Sequence, residues 1–261
     1  MHIGPCNIAL EGRLRHCSNV VTLGVRPNFS DYSLEEKDLI RNAGKIYYPS
    51  TFYADMFAAI GKPIFPSVHT YRFVQDKIKQ SALFAIKQIP TPRTRTFYGK
   101  KCFEKILTCF DFPMVGKIPR GSALGRGVFL LTGAEDLQRY LDLGRPAYIQ
   151  EYLPIDRDMR VLVIGGRLIC AYWRIAHPGE FRTNLGQKGR VCFDPVPEAA
   201  IALALHTATG CGWDDVGIDI CLYRGKLYVL EANMKYGRQG LVEAGIDYSK
   251  MMEEMIEKRQ I

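Results

Sequence analysis

Two carboxylates near the C-terminus of the sequence are spaced to meet across a β-hairpin. Residues 216–237 read VGIDICLYRGKLYVLEANMKYG, in which two apolar runs flank an Arg-Gly break. A break of this kind between apolar runs is typical of a hairpin turn. If Tyr223 faces Leu227 across the turn, Asp219 lies directly opposite Glu231. Like charges that face each other on an otherwise apolar hairpin destabilise it unless another group compensates them.

The chemistry that suits this arrangement is the binding of a divalent cation. Asn233 follows Glu231 by two residues, so its side chain points to the same face of the strand. Two carboxylates and an amide oxygen form a hard, all-oxygen ligand set, which suits Mg²⁺, or Mn²⁺ in its place, bridging phosphates. A solvated acidic face is the ordinary interpretation of an acidic pair. The apolar neighbours Ile218 and Val229 instead indicate a buried hairpin, so Asp219, Glu231 and Asn233 predict a metal site.

A second segment has the composition of a phosphate-binding loop. Residues 121–127 read GSALGRG and lie between an apolar run that ends at Lys117 and another that begins at Val128. The residues that would approach a phosphate are Gly121, Ser122, Gly125 and Gly127. Glycine lets backbone N–H groups come close to phosphate oxygens. The loop lacks the Gly-Lys-Ser/Thr of the Walker pattern, and a plain hairpin loop is the alternative interpretation.

The composition indicates a globular protein and limits its partners. The chain has 261 residues, 47% hydrophobic and 24% charged, which is enough for a substantial core in one or two domains. No apolar run reaches the ~18 residues of a membrane-spanning helix, and the N-terminus lacks the apolar core of a secretory signal. We therefore expect a cytoplasmic protein with no membrane partner.

Cysteine spacing and charge narrow the chemistry further. The eight cysteines show no Cys-x-x-Cys spacing, which favours free thiols over structural zinc or disulfides. The net charge of +8 suits phosphorylated ligands or an acidic protein tail. The basic residues are dispersed rather than clustered in a run, so nucleic acid is disfavoured as a partner.

The elements that must position these residues form a small α/β unit followed by a larger region. The run VVTLGV at 20–25 predicts a buried strand, Ser33 with Glu36 forms a capping box that opens a helix over 34–42, and 45–48 predicts another strand. No Gly-x-Gly-x-x-Gly motif is present, so a dinucleotide-binding fold is not supported.

Further along the chain, several functional candidates occur at the ends of predicted elements. A helix over 76–88 carries Lys77 near its start, and a strand over 147–153 contains Glu151. A hairpin over 159–175, which turns at a Gly-Gly pair, brings Asp158, Arg160 and Arg174 together at its open end. Ordinary salt bridges at the rim of the sheet are the alternative for that cluster. An alanine-rich helix over 197–209 is predicted to close at Gly210, and a final helix covers 248–258.

Taken in order, these motifs resemble the ATP-grasp superfamily and, within it, RimK-type (ribosomal protein glutamate ligase-like) carboxylate–amine ligases. The similarity covers about residues 76–250. The strongest matches are QEYL at 150–153, DMR at 158–160, FRTN at 181–184, GID at 217–219 and EAN at 231–233. The resemblance implies an ATP-grasp fold of mixed α+β and α/β class, in which two α+β subdomains grip ATP between antiparallel sheets.

The resemblance also implies domains and residue roles. A short N-terminal α/β domain would cover 1–75 and the ATP-grasp domain 76–261, with a lid subdomain over about 92–150 and a metal-binding subdomain over 151–261. ATP and Mg²⁺ would be the cofactors, and the glycine-rich loop would close over the phosphates. The implied contacts are phosphate for Lys77 and Lys117, adenine for Glu151, Tyr152 and Leu153, ribose for Asp158, further nucleotide contacts for Arg182 and Asn184, and one or two Mg²⁺ ions for Asp219, Glu231 and Asn233.

The family chemistry is phosphoryl transfer from ATP to a carboxylate, followed by attack of an amine on the acyl phosphate. Arg160, Arg174 and Arg182 are the candidates for holding the carboxylate and stabilising the acyl phosphate. The acceptor would be an amino acid, another small molecule, a peptide or an acidic protein tail. The alternatives are a phosphotransferase that stops after the first step and a nucleotide-binding protein without turnover. The metal triad argues against the last, since binding alone does not require it.

Two departures from the family pattern concern the geometry of the lid and the acceptor site. The glycine-rich loop is one residue longer between its first two glycines than in the usual RimK pattern. After Asn233 the family tends to have Ser-Pro-Gly, whereas this chain has MKYG at 234–237. Because that segment helps to shape the acceptor site, glutamate is not assumed as the substrate. The sequence leaves open whether additions are single or repeated and whether the protein forms a homo-oligomer.

Overall fold

Three β-sheets with their helices make up the part of the chain that the computed structural model describes, which is residues 7–99, 101–121, 127–144, 146–183 and 189–261. We call them the N-terminal, middle and C-terminal sheets. The antiparallel middle and C-terminal sheets, with helices alongside, give the mixed α/β architecture that the sequence predicts. The expected domain boundaries stay a prediction.

The N-terminal sheet is parallel and has the strand order β2-β1-β3-β4. Its elements are β1 (Ile8–Ala9), β2 (Val21–Thr22), α1 (Leu34–Asn42), β3 (Ile46–Tyr47), α2 (Thr51–Ala59) and β4 (Ile64–Phe65). The capping box is confirmed, because Ser33 Oγ accepts from the Glu36 amide at 3.1 Å and Glu36 accepts from the Ser33 amide at 2.8 Å. The buried strand expected over 20–25 is wrong: β2 lies at the edge of the sheet and has only two residues, of which Val21 is exposed and Thr22 is half-buried.

The middle sheet is antiparallel and has the order β5-β8-β6-β7. Two helices precede it, α3 (Val68–Val74) and α4 (Lys77–Ile86). Its own elements are β5 (Thr94–Phe97), α5 (Cys102–Leu107), β6 (Met114–Lys117), β7 (Val128–Leu131), α6 (Ala134–Asp142) and β8 (Ala147–Glu151). A Cβ atom at Gly116 would lie 2.9 Å from the Tyr140 ring, so glycine at this position lets α6 pack closely on β6.

The C-terminal sheet is also antiparallel and has the order β11-β10-β9-β12-β13. Its elements are β9 (Arg157–Ile164), β10 (Arg167–Ile175), β11 (Arg190–Cys192), α7 (Glu198–Cys211), β12 (Asp215–Tyr223), β13 (Lys226–Asn233), α8 (Gln239–Glu243) and α9 (Tyr248–Glu257). The expected end of α7 at Gly210 is wrong by two positions. The helix continues to Gly212, which caps it in the left-handed conformation that glycine adopts easily.

The hairpin of β12 and β13 reaches the predicted carboxylate pairing by a different register. Tyr223 pairs with Lys226 rather than with Leu227, which leaves a two-residue turn. A β-bulge then shifts the register by one, with Leu230 as the extra residue, so that Asp219 still pairs with Glu231. The sequence argument assumed a regular ladder and a longer turn, and the two errors cancel where Asp219 pairs with Glu231.

Two expectations from composition can be compared with the fold. The seven cysteines within the described ranges are free thiols, as predicted. In those same ranges, no helix combines the length and the apolar character needed to cross a bilayer.

Candidate active site

A cleft lies between the middle and C-terminal sheets, and its walls are of two kinds. Val115 and Lys117 are two positions apart on β6, so both side chains point to the same face of the sheet and present an apolar group and a cation to the cleft. The apolar wall consists of Pro92, Val115, Val128, Ile155, Phe181 and Leu230, with Tyr152 and Leu153. The charged wall consists of Lys117, Glu151, Asp158, Arg174, Arg182, Asp219 and Glu231. Apolar and charged walls together suit a ligand with a planar apolar ring and a polyanionic tail.

The structure brings the three predicted metal ligands together. Asp219 and Glu231 are cross-strand partners, and the Asn233 amide nitrogen lies 3.3 Å from Asp219 Oδ2 and 2.9 Å from Glu231 Oε1. Turning that amide by half a rotation presents its oxygen at the same place. Across the described residues, no three His, Cys, Asp or Glu side chains gather closely enough to bind a metal by themselves. A cation bound by Asp219 and Glu231 would have the Asn233 amide as a third protein ligand, and this donor set fits Mg²⁺.

Two buried arginines surround the carboxylate of Asp219. Arg160 donates to it through Nε and Nη2, both at 2.6 Å, and through Nη1 to the Tyr236 carbonyl oxygen at 2.9 Å. Arg174 donates through Nε and Nη2 to Asp158 at 2.7 and 2.6 Å, and its Nη2 lies 2.9 Å from Asp219. Both arginines and both aspartates are buried, so the cluster is not a solvated rim. Such bidentate pairs fix orientation as well as charge.

Opposite charges in the cleft counteract the effect of burial on the pKa values of Glu231 and Lys117. Burial by itself raises the pKa of Glu231, but Lys77, Lys117 and the Asn233 amide outweigh it and lower that pKa to about 2. Burial lowers the pKa of the Lys117 ammonium, and Glu231 opposes this effect. Arg160 pairs with Asp219 and Arg174 with Asp158, whereas the ammonium groups of Lys77 and Lys117 both act on Glu231. Two ammonium groups beside one carboxylate suit contact with phosphate oxygens.

Lys77 is positioned by contacts that the sequence argument missed. Asp76 caps α4 by accepting from the amides of Ile78 at 3.0 Å and Lys79 at 3.2 Å. Its second oxygen accepts from Arg120 Nε at 2.7 Å, just before the glycine-rich loop, and the Lys77 amide donates to the Pro119 carbonyl. Lys77 Nζ thereby comes within 3.7 Å of Glu231 Oε2. An aspartate at the first position of the helix predicted over 76–88 was the available signal.

A buried glutamine on α4 fixes the strand that carries Glu231 and Asn233. Gln80 accepts from the Ala232 amide at 2.9 Å and donates to the Ala232 carbonyl at 2.9 Å and to the Val74 carbonyl at 2.7 Å. Ala232 lies between the two ligand residues, so this clamp sets their position relative to Lys77. No local pattern marks Gln80, because its partner is 152 residues away.

The residues that the sequence assigns to nucleotide contact line the cleft, and several of them have hydrogen-bond partners within the protein. Glu151 accepts from the Arg93 amide at 2.6 Å, while Tyr152 and Leu153 line the cleft directly. Asp158 also accepts from Thr183 Oγ1 at 2.6 Å, a partner that the sequence argument missed. Arg182 pairs with Glu180, with Nη2 at 2.6 Å from Oε2 and Nε at 2.9 Å from Oε1.

The glycine-rich loop is described only at its two ends. Gly121 has a positive φ of 68°, and the Gly127 carbonyl accepts from the Ile118 amide at 2.7 Å. The predicted contacts of Ser122, Gly125 and Asn184 lie outside the described residues.

Solved structures share the whole fold with this chain. A RimK domain ATP-grasp protein from Sphaerobacter thermophilus superposes with a TM-score of 0.71 at 16% identity and covers 95% of this chain and 98% of its own. The D-alanine–D-alanine ligase from Bacillus anthracis complexed with ATP superposes with a TM-score of 0.68 at 15% identity, covering 96% and 95%. Similarity at this level establishes the ATP-grasp fold, as the motifs predicted.

Sequence comparison places the chain within that class. The model of the RimK-like ATP-grasp domain matches residues 74–256. A probable alpha-L-glutamate ligase of Serratia proteamaculans is 31% identical over 223 residues, which is 80% of this chain and 73% of that protein. Human beta-citrylglutamate synthase B is 32% identical over 160 residues, 57% of this chain and 41% of that protein. The chain belongs to the RimK-like ATP-grasp family, and it is an ATP-dependent carboxylate–amine ligase.

Proposed function

We propose that this ligase requires magnesium, activates a carboxylate as an acyl phosphate and transfers the acyl group to an amine. The observation that carries the proposal is the convergence of Asp219, Glu231 and Asn233 on one face of the hairpin, opposite Lys77 and Lys117. Two carboxylates and an amide in one place suit a cation that carries phosphates, and pure nucleotide binding does not require them.

In the first step, an oxygen of the substrate carboxylate attacks the γ-phosphorus of ATP, and the bond to the bridging oxygen of ADP breaks. In the second step, the amine attacks the acyl carbon, inorganic phosphate leaves, and the amine loses a proton to solvent or phosphate. Lys77 and Lys117 hold the phosphates by charge. Bound Mg²⁺ would supply neutralisation of the phosphate oxygens, with Asp219, Glu231 and Asn233 as its protein ligands.

Arg160 and Arg174 are suited to stabilising negative charge on the reacting carboxylate because their positions are set before substrate binds. Each is locked against an aspartate by two short hydrogen bonds in a buried environment. Donors that are held in place cost no reorganisation when charge develops during the reaction. Arg182 is half-buried and bound to Glu180, which suits contact with a substrate that enters the cleft.

Glutamate is the first amino acid to test as a substrate. The Serratia relative is named a probable alpha-L-glutamate ligase, and a relative from Escherichia fergusonii, 28% identical over 221 residues, is named a ribosomal protein bS6–L-glutamate ligase. The partner would be an amino acid, a peptide, another small molecule or an acidic protein tail. The segment 234–237 differs from the family pattern, so other amino acids belong in the same screen.

The deciding experiment measures ADP release and product mass with ATP, Mg²⁺ and matched sets of carboxylates and amines. We expect ADP release that requires both a carboxylate and an amine, together with a product whose mass corresponds to loss of water between them. Release with a carboxylate or hydroxyl acceptor alone would indicate a phosphotransferase, and no release with any pair would indicate a binding protein. Either result would overturn the proposal.

We also propose that the protein acts in the cytoplasm. Its chemistry consumes ATP, and several of its free cysteines, such as Cys170, Cys211 and Cys221, are buried as apolar side chains rather than paired. Unpaired thiols suit a reducing compartment. Fractionation that recovers the protein with oxidised cysteines outside the cytoplasm would contradict this proposal.

A further inference from the structure

A second buried carboxylate lies on the same strand as the metal-site aspartate. Asp215 begins β12 and precedes Asp219 by four residues, so both side chains point to the same face of the sheet. Asp215 is fully buried and accepts hydrogen bonds from the Tyr236 hydroxyl at 2.7 Å and the Tyr48 hydroxyl at 2.9 Å. Its charge is compensated by Arg13, whose Nη1 lies 3.6 Å from Asp215 Oδ2.

Arg13 belongs to the N-terminal unit but reaches into the C-terminal sheet. Its side chain is 16% exposed, and its Nη1 donates to the Met234 carbonyl at 3.0 Å. Its guanidinium lies over the Tyr236 ring at 4.8 Å and the Tyr48 ring at 5.2 Å. The two ring contacts and the directed hydrogen bond together define one orientation, which a lysine could not reproduce.

The segment that Arg13 holds is continuous with the candidate active site. Met234 directly follows Asn233, and the Tyr236 carbonyl accepts from Arg160 Nη1 at 2.9 Å. A Cβ atom at Gly217 would lie 2.7 Å from the Tyr236 Cβ, so glycine at this position of β12 lets Tyr236 lie directly on the strand. Contacts therefore run without a gap from Arg13 through Tyr236 to Arg160 and then to Asp219.

We propose that Arg13 is a positioning residue for the ligase reaction, which holds segment 234–236 so that Arg160 and Asn233 keep their orientation beside Asp219. The matched family domain begins at residue 74, so this contribution comes from outside it. The inference rests on the proposed function only in that Arg160 and Asn233 are given roles there. It assigns the N-terminal unit a part in catalysis that its fold alone does not imply.

Kinetics of Arg13→Ala test the proposal, with Arg26→Ala as the matched control. Arg26 lies in the same unit and also stacks on a tyrosine and pairs with a carboxylate, but it contacts Tyr32 and Glu36 rather than the network. We expect kcat of Arg13→Ala to fall on the order of a hundredfold, because a displacement of about 1 Å at a reacting group has that effect. The KM for ATP should rise much less than kcat falls, because the apolar wall that suits the ring of ATP is untouched. Methylguanidinium should restore part of kcat, whereas Arg26→Ala should keep the wild-type kcat.

A second test does not depend on activity: nuclear magnetic resonance reports directly on the environment of the Arg160 side chain. The Arg160 Nε–Hε signal in a nitrogen–proton correlation spectrum, assigned by its loss in Arg160→Lys, should shift in Arg13→Ala and return towards its original position with methylguanidinium. An unshifted Arg160 signal would overturn the proposal, as would an unchanged kcat. If the wild-type protein ligates nothing, the proposed function fails, while the Arg160 signal still decides the positioning role. If Arg13→Ala does not fold, Arg13→Lys decides, with the same signal expected to shift.

Discussion

The charge state of Glu231 is set by its neighbours. Its side chain retains 18% exposure, yet Lys77 and Lys117 hold its pKa at about 2 against the effect of burial. It is therefore ionised at neutral pH and can serve as a ligand without first losing a proton. Asn233 contacts both acids of the site, so the three side chains act as one group.

We predict that Glu231→Gln lowers magnesium-dependent turnover on the order of a hundredfold, because an amide removes the charge that a divalent cation needs. The isosteric change should leave the melting temperature within a few degrees of wild type. Turnover measured against Mg²⁺ concentration checks this prediction. Glu243→Gln, an exposed glutamate on α8, is the matched control. Unchanged magnesium dependence in Glu231→Gln would exclude it as a ligand.

Arg182 gives a test of substrate contact without damage to the buried cluster. It is bound to Glu180 and is half-buried, whereas Arg160 and Arg174 each neutralise a buried aspartate. We predict that Arg182→Ala lowers kcat/KM at least about tenfold while the unfolding temperature stays unchanged. Glu180→Gln is the control for loss of the surface ion pair alone. A kcat/KM near the wild-type value would remove Arg182 from the catalytic candidates.

At the level of elements, the site depends on how one helix is clamped to one strand. Gln80 on α4 makes three buried hydrogen bonds, two of them to Ala232 on β13. The bulge at Leu230 turns both Leu230 and Glu231 towards the cleft. In a regular strand without the bulge, Leu230 and Glu231 would point to opposite faces of the sheet.

We predict that Gln80→Leu lowers the free energy of unfolding by about 2 kcal/mol or more, because it leaves the buried Ala232 amide without an acceptor. Denaturant unfolding measures this loss. Gln138→Leu, an exposed glutamine on α6, should have little effect. Equal stability of the two variants would contradict the role given to the Gln80 clamp.

Asp136 lies in the first turn of α6, and its ionisation makes the stability of this turn depend on pH. The Thr132 hydroxyl and amide, with Arg139, lower the pKa of Asp136 from 3.8 to about 2. A depressed pKa means that the folded state favours the ionised form, so the stabilisation is complete above the unfolded pKa and is lost as pH falls through about 2. We predict that Asp136→Asn melts at a lower temperature than wild type at neutral pH, and that this difference disappears at about pH 2. Glu135→Gln is the control, and a difference that persists in acid would contradict the assignment.

At the level of the whole molecule, the net charge of +8 acts on the approach of substrates. Long-range attraction raises the local concentration of polyanions and is screened at a Debye length of about 8 Å in physiological salt. The same field has less effect on a free amino acid, whose net charge is small. Salt dependence therefore reports on the class of acceptor.

We predict that the KM for an acidic peptide acceptor rises several-fold between about 50 and 200 mM salt, while the KM for a free amino acid acceptor changes much less. Initial rates measured with each acceptor at a series of salt concentrations check this. A neutral peptide of equal length is the control for peptide binding alone. Identical salt dependence for all three acceptors would mean that the positive charge of the protein does not favour binding of the acidic peptide.

The sequence by itself determined the features that depend on local order. The capping box at Ser33, the hairpin that pairs Asp219 with Glu231, and the family motifs between 150 and 233 could all be identified without coordinates. Side-chain alternation along a strand and the spacing of helix caps involve only a few neighbouring residues. Both can therefore be predicted from local sequence. The free state of the described cysteines follows in the same way from their spacing.

Only the tertiary structure showed which long-range contacts position the site residues. The bulge at Leu230, the clamp by Gln80 and the entry of Arg13 beside Asp215 join residues between which the sequence shows no pattern. The last contact spans 202 positions along the chain, between Arg13 and Asp215. Contacts of this kind arise when separate elements pack together, because their geometry depends on every surface between them and not on the order of neighbouring residues.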